Sequence, residues 1–295
     1  MIYTVTFNPA IDHIVSLPTF ATGGLNRAET EAFRFGGKGV NVSFVLKELG
    51  VSSVAFGFVG GVTGDMLENG VKQSAITADF IRVAGETRVN TKIAANGEET
   101  ELNGVGPTVD EADFAKLLCK VKELDGKDIL VISGSLAPGL SADACARLAA
   151  AVKPGVRVVV DVAGAPLKAA LAAKPWLIKP NEAELCELCG TGETLALAKA
   201  AQELGARNVL CSRGAAGALL LTERGEVFEQ KAPHGTVKST VGAGDSLLAG
   251  FLAALDSGKP LADALKCGVA AGSATAFSTG LAEKANIDAV LAAME

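Results

Sequence analysis

Ser239-Thr240-Val241-Gly242-Ala243-Gly244-Asp245-Ser246 stands where a β-prone run ends and an apolar helix begins. Leu247, Leu248, Phe251, Leu252 and Leu255 follow at helical spacing. Two glycines at such a turn let backbone approach a ligand closely. The first amides of the helix then face outward at the positive end of its dipole, which makes an anion site. Asp245 stands among those amides. A carboxylate there can take a proton from an incoming hydroxyl while the amides hold developing negative charge. Taken alone, the motif also reads as a glycine turn with an acidic first-turn residue that favours the helix end. The rest of the chain decides between the two.

The same order of strand, glycine-rich turn and helix recurs upstream. Gly36-Gly37-Lys38-Gly39 opens a helix carrying Val40, Val42, Phe44, Val45, Leu46 and Leu49, with Asn41 in its first turn. It is not a phosphate loop of the Gly-x-x-x-x-Gly-Lys-Ser/Thr type. Gly60-Gly61 separates strand 54–59 from helix 64–75, and Ser133-Gly134-Ser135 separates strand 128–132 from helix 141–152. Val156-Arg157-Val158-Val159-Val160-Asp161 is almost wholly apolar, as a strand covered on both faces should be. Strand 176–178 ends in Lys179-Pro180-Asn181-Glu182-Ala183-Glu184, where Asn181 and Glu184 have the spacing of an ordinary capping box. Helix 193–204, strand 207–211 and the turn Ser212 to Gly217 follow, then a hairpin of strands 218–222 and 225–229. Helices 244–256, 260–277 and 286–294 close the chain. Strands alternating with helices predict an α/β fold, a doubly wound and mostly parallel sheet with helices on both faces.

Four further strands do not fit that sheet. Segments 13–17 and 25–35, with Asn26, Arg27, Glu29 and Glu31, are polar, as are 88–94 and 99–103. They predict a small β-sheet lid, inserted from about 12–35 and 88–104 into a single unit spanning 1–295. Asp12 follows the break at Asn8-Pro9, and Arg88 and Asn90 share one strand face. Ligands of open α/β sheets bind beyond the C-terminal strand ends. Each of these motifs falls at such an end or on the lid, which predicts one shared site.

Composition narrows the function. The chain has 295 residues, 49% apolar and 20% charged, with a formal charge of −6. That gives no basic footprint for nucleic acid. The start lacks a signal-like pattern, and no segment reaches transmembrane length, so a cytoplasmic protein that engages no membrane is expected. Cys186 and Cys189 form a Cys-x-x-Cys without a second pair, and His13 and His234 are far away in sequence. The two thiols read as small apolar residues on a helix face rather than as a zinc site.

In company, the motifs resemble the ribokinase-like, PfkB-type sugar kinases, and within them the 1-phosphofructokinase group. The resemblance rests on residues 6–12, Gly36 to Val42, Thr87 to Asn90, Ser133 to Leu136, Lys179 to Glu184 and Ser239 to Ser246. It implies an ATP-dependent kinase that uses Mg²⁺, with a monovalent cation as a further candidate. It implies Asp245 as general base and the Gly242, Ala243 and Gly244 turn as the anion hole. Asp12, Gly37, Lys38, Asn41, Arg88 and Asn90 match acceptor positions, with Lys38 open to either phosphate. Lys179, Asn181, Glu184, Ser212, Gly214, Gly217, Thr240 and Ser273 match the nucleotide side, with Glu184 toward the metal, directly or through water. The implied reaction is phosphorylation of D-fructose 1-phosphate to fructose 1,6-bisphosphate, favoured by Glu101-Leu102-Asn103-Gly104-Val105-Gly106-Pro107. Tagatose-6-phosphate or fructose-6-phosphate kinase activity is the alternative, and a non-catalytic sugar-phosphate sensor a remote one. A dinucleotide oxidoreductase would need Gly-x-Gly-x-x-Gly at the first glycine turn, which lacks that spacing. The resemblance also implies a homodimer formed through the lid strands. Ala137, Arg213 and Val162-Ala163 depart from the family pattern, and Arg213 bears on the nucleotide edge.

Overall fold

The computed structural model describes residues 1–294. In chain order its strands are β1 (Ile2–Thr6), β2 (Ala10–Ser16), β3 (Thr30–Gly36), β4 (Ser53–Val59), β5 (Thr77–Ala78), β6 (Ile81–Arg82), β7 (Arg88–Ala95), β8 (Glu98–Leu102), β9 (Ile129–Ser133), β10 (Arg157–Asp161), β11 (Leu177–Ile178), β12 (Asn208–Ser212), β13 (Ala218–Leu221) and β14 (Val227–Gln230). The helices are α1 (Lys38–Glu48), α2 (Gly61–Gln73), α3 (Glu111–Lys122), α4 (Ala144–Ala151), α5 (Gly164–Ala170), α6 (Glu182–Cys189), α7 (Thr194–Glu203), α8 (Ala243–Asp256), α9 (Leu261–Ala276) and α10 (Lys284–Ala293).

Side-chain alternation along the strands builds the main sheet. On β9, Leu130 and Ile132 join one core cluster while Ile129 and Val131 join another. On β10, Val158 and Val160 face the first cluster and Val159 the second. Both faces of each strand are therefore buried, which is why these runs read as continuously apolar. Helices α3 to α7 cover one face, and α1, α8, α9 and α10 the other. The sheet order is β14-β13-β12-β11-β10-β9-β1-β4-β5, with β6 also on β4. Pairing is parallel except at the edge, where β13 runs antiparallel to both β12 and β14. Because β4 lies on one side of β1 and β9 on the other, the winding reverses at β1. A crevice opens there at the C-terminal strand ends.

The second sheet has the order β3-β2-β7-β8 and stands over that crevice. Its strands come from the segments that the sequence marks as polar. One boundary differs: residues 25–29 are not strand, and β3 begins at Thr30. Asn26 instead folds a local loop, accepting from the Ala21 amide at 2.9 Å and donating to the Ala21 carbonyl at 2.8 Å. A second difference lies ahead of the quoted stretch, where no strand precedes Ser239. The segment docks on the end of α9, with Lys238 N and Ser239 N donating to the Ala276 carbonyl at 2.8 and 3.3 Å. Helix α5 is an element the sequence did not announce; Pro166 in its first turn is tolerated because no amide is needed there. Among the described residues, no helix is long and apolar enough to cross a membrane.

Candidate active site

The crevice between sheet and lid is a cavity of about 900 Å³. It takes residues from the ends of β1 and β11, from the lid, and from the starts of α1, α6 and α8. Asp12, Gly37, Lys38, Asn41, Arg88, Asn90, Lys179, Asn181, Glu184, Ser212, Gly214, Gly217, Thr240, Gly242, Ala243, Gly244, Asp245 and Ser273 all line it. Thus the candidates from every motif meet in one place.

Gly242 precedes α8 with φ 78°, a left-handed value that an L residue adopts only with strain. A Cβ there would also lie 2.6 Å from Leu281 Cδ2. The turn is closed by Ala243 N donating to the Thr240 carbonyl at 3.2 Å. Ala243 therefore has its amide occupied. Among the described residues, the amides of Gly242, Gly244 and Asp245 find no protein acceptor. Those are the donors left for an anion. Lys179 Nζ adds charge at the same point, 3.2 Å from where a Gly244 Cβ would stand. Helix α8 is fixed behind the turn by the buried Ser246 Oγ–Thr275 Oγ1 hydrogen bond of 2.8 Å.

Asp245 is buried, and its Oδ2 accepts from Asn41 Nδ2 at 2.8 Å. Burial pushes this carboxyl up to about 6, and the negative charge of Asp161 adds to the rise. The Asn41 hydrogen bond, Lys179 and Lys38 oppose it. A carboxylate with that value is ionised near pH 7 yet close enough to neutrality to hold a proton in passing.

Asp161 is the residue that sequence reasoning missed. It ends β10, is 1% exposed, and its Oδ1 lies 3.3 Å from both Lys38 Nζ and Lys179 Nζ. Burial pulls the Lys38 ammonium down, but Asp161, Asp245 and Glu184 together hold it above its ordinary value. Asp161 therefore sets the position of two cations that flank the turn. Its other oxygen, Oδ2, is buried without a partner. The available signal was an acidic residue closing an otherwise apolar strand at the sheet end where ligands bind. His234, Lys92 and Glu101 also line the cavity without having been assigned a place in it.

The lid supplies the other wall. Asn90 Nδ2 donates to Asp12 Oδ1 at 2.9 Å, and Asn90 Oδ1 accepts from the Gly104 amide at 3.2 Å. Arg88 Nε donates to the Asn8 carbonyl at 3.0 Å. Burial lowers its guanidinium from the usual value, and Asp12 resists that shift. At Gly37, φ is 111° and a Cβ would fall 2.6 Å from Thr6 Cγ2, so only glycine lets α1 start against β1.

The opposite end combines polar groups with a slot lined by Ala215, Pro233, Val237, Val269 and Phe277. Asn181 and Glu184 form the capping box: Glu184 N donates to Asn181 Oδ1 at 2.8 Å and Asn181 N to Glu184 Oε2 at 2.9 Å. Capping and facing the cavity coexist, since the box uses Oε2 and leaves Oε1 without a hydrogen bond from the chain. Arg213 turns to Glu229 at 2.9 Å and is absent from the cavity lining. Cys186 and Cys189 lie on α6 and pack against the core.

Residues 5–288 match the profile of the pfkB family carbohydrate kinases. The 1-phosphofructokinase of Bacillus subtilis (strain 168) is 43% identical over 287 residues, covering 95% of this chain and 94% of that one. The D-tagatose-1-phosphate kinase of Bacillus licheniformis is 37% identical over 295 residues, covering 98% and 96%. Among solved structures, phosphofructokinase-2 from Escherichia coli in complex with substrates and products is similar with a TM-score of 0.92 at 33% identity, covering 99% of both chains. Matches of that extent, on a fold that gathers a buried carboxylate, free amides and paired lysines in one crevice, lead to one conclusion. The chain belongs to the pfkB family of carbohydrate kinases, enzymes that use ATP and a divalent metal to phosphorylate a sugar substrate.

Proposed function

We propose that this enzyme transfers the γ-phosphoryl group of ATP to the far hydroxyl of D-fructose 1-phosphate, giving fructose 1,6-bisphosphate. The observation that carries the reading is the buried Asp245 carboxylate beside free α8 amides, in one cavity with a lid bearing Arg88 and with the Lys179–Glu184 turn. The acceptor's existing phosphate lies at the lid, with Asp12 and Asn90 on the sugar hydroxyls. Asp245 takes the proton of the reacting hydroxyl. The Gly244 and Asp245 amides, Lys179 and Lys38 stabilise the charge on the transferred group. Lid and turn together keep water from the reacting atoms.

Magnesium is the divalent ion assigned here. The fit is in one acceptor: Glu184 lines the cavity, and its Oε1 is free of the capping box. That suits a hydrated dication held by one carboxylate and the substrate phosphates. Glu184 would hold it, directly or through water, and the ion would neutralise phosphate charge.

The test of the acceptor is a panel of D-fructose 1-phosphate, D-tagatose 1-phosphate, D-tagatose 6-phosphate and D-fructose 6-phosphate in an ADP-release assay. The largest kcat/KM is expected for fructose 1-phosphate. A larger value for either 6-phosphate would overturn the acceptor assignment and leave the kinase standing. Arg88→Ala is expected to raise the sugar-phosphate KM by about ten- to a hundredfold, the equivalent of one charge-assisted pair, with the ATP KM little changed. An unchanged acceptor KM would reduce Arg88 to a brace on the Asn8 carbonyl.

A homodimer through the lid is part of the same proposal. The lid surface turned away from the cavity exposes Phe33 at 49%, Val89 at 37% and Leu102 at 70%. An apolar sheet face of that kind favours burial against a second copy. Sedimentation should give twice the 29.9 kDa chain mass.

A further inference from the structure

The inner face of the lid carries a second basic residue that the acceptor site above does not use. On β7, Arg88, Asn90 and Lys92 alternate onto the same face, and all three line the cavity. Lys92 lies directly across from Glu101 on β8, and its Nζ is 3.2 Å from Glu101 Oε1. The two exposures differ: the Lys92 side chain is 12% exposed and that of Glu101 41%. The lysine is therefore set into the cavity wall, with the carboxylate at the mouth.

Charge assignment within the cavity singles Lys92 out. The lysines and arginine that line it are Lys38, Arg88, Lys92 and Lys179. Lys38 and Lys179 are both held on Asp161 at the transfer end. At the lid end stand Arg88, with Nε engaged by the Asn8 carbonyl, and Lys92. A phosphate monoester carries between one and two negative charges near pH 7, with its second ionisation near 6. One partly engaged guanidinium beside Asp12 leaves that charge incompletely matched. A cross-strand ion pair reachable by solvent is weakly held, so Glu101 is readily displaced by a stronger anion.

We infer that Lys92 is a second ligand of the acceptor phosphate, released from Glu101 when the sugar phosphate binds. Glu101 holds the ammonium in position in the empty cavity and disfavours a second anionic group at the mouth. The pair thereby selects acceptors that already bear one phosphate over neutral sugars. This rests on the sugar-phosphate kinase reading, and deepens it by naming the residue that recognises the acceptor's charge.

The experiment uses the full-length enzyme with fructose 1-phosphate and ATP varied separately. Lys92→Met is expected to raise the acceptor KM about ten- to a hundredfold, with the ATP KM unchanged. Lys92→Arg, which keeps the charge, should recover most of that loss. Glu101→Gln should lower the acceptor KM severalfold, because the lysine no longer has a competing partner. The inference is overturned if Lys92→Met leaves the acceptor KM within twofold, or if Lys92→Arg is as impaired as Lys92→Met. It is likewise overturned if Glu101→Gln raises the acceptor KM. A wild-type enzyme that phosphorylates none of the hexose phosphates would overturn the preceding reading instead, before any variant is made.

Discussion

Asp245→Asn is expected to lower kcat by about 10²–10⁴, the usual contribution of a positioned general base. ATP and sugar-phosphate binding should be largely kept, since the α8 amides and the lysines are untouched. Stability separates this account from the alternative in which Asp245 merely favours the helix end. Burial raises its carboxyl from 3.8 to about 6, so the ionised form is disfavoured by folding. For a group raised in the folded state, the favourable contribution is complete below about pH 4 and is lost as pH rises through about 6. At pH 8 the wild type therefore carries a charge that opposes folding, by up to about 3 kcal/mol at 1.36 kcal/mol per pH unit. Asparagine removes it and can still meet Asn41. The variant should melt at or above the wild-type temperature at pH 8. A helix-end role predicts the reverse: a stability loss of about 0.3–1 kcal/mol with near-normal turnover.

Asp161→Asn is expected to have the second largest effect, although Asp161 need not touch the reacting atoms. It would leave Lys38 and Lys179 without the carboxylate that each approaches at 3.3 Å. Removing one member of a buried ionic cluster costs about 3–5 kcal/mol, less here to the extent that Lys38 reaches solvent. The melting temperature should fall, and added ATP should recover part of the loss if its phosphates are held by the same lysines, as proposed. Displaced lysines should lower kcat by about tenfold to a hundredfold, as small misplacements of catalytic groups do. A second readout separates this from general damage. The charge of Asp161 helps raise the Asp245 carboxyl, so the acid limb of the rate profile should move to lower pH in Asp161→Asn. A wild-type melting temperature with an unmoved acid limb would exclude the positioning role.

The main sheet was legible because burial on both faces leaves continuous apolar runs such as Val156 to Val160, and because glycine turns punctuate them. The lid was legible from its polar strands. Sequence patterns at helix starts also marked out Asp245, Lys38 and Asn181, since a free helix terminus needs particular residues there. What could not be read is pairing between distant residues. A single Asp closing β10 looks like any strand end, and only the fold brings Lys38 and Lys179 onto Asp161. Lys92 was equally silent, because a lysine on a polar strand is ordinary until the face it occupies is known. Strand character is absent before Ser239 for a related reason: the segment satisfies its amides on the end of α9, a partner far along the chain.

The pH dependence of the single-turnover rate, with enzyme in excess and both substrates bound, tests the central claim most directly. With Asp245 as the base, the wild-type rate should be level above about pH 7 and fall toward tenfold per unit below about pH 6, following the carboxyl raised to about 6. The residual rate of Asp245→Asn should lack that limb, which separates titration of Asp245 from titration of the substrate phosphate. A wild-type rate that stays level down to pH 5, or an Asp245→Asn variant with wild-type turnover, would contradict the account.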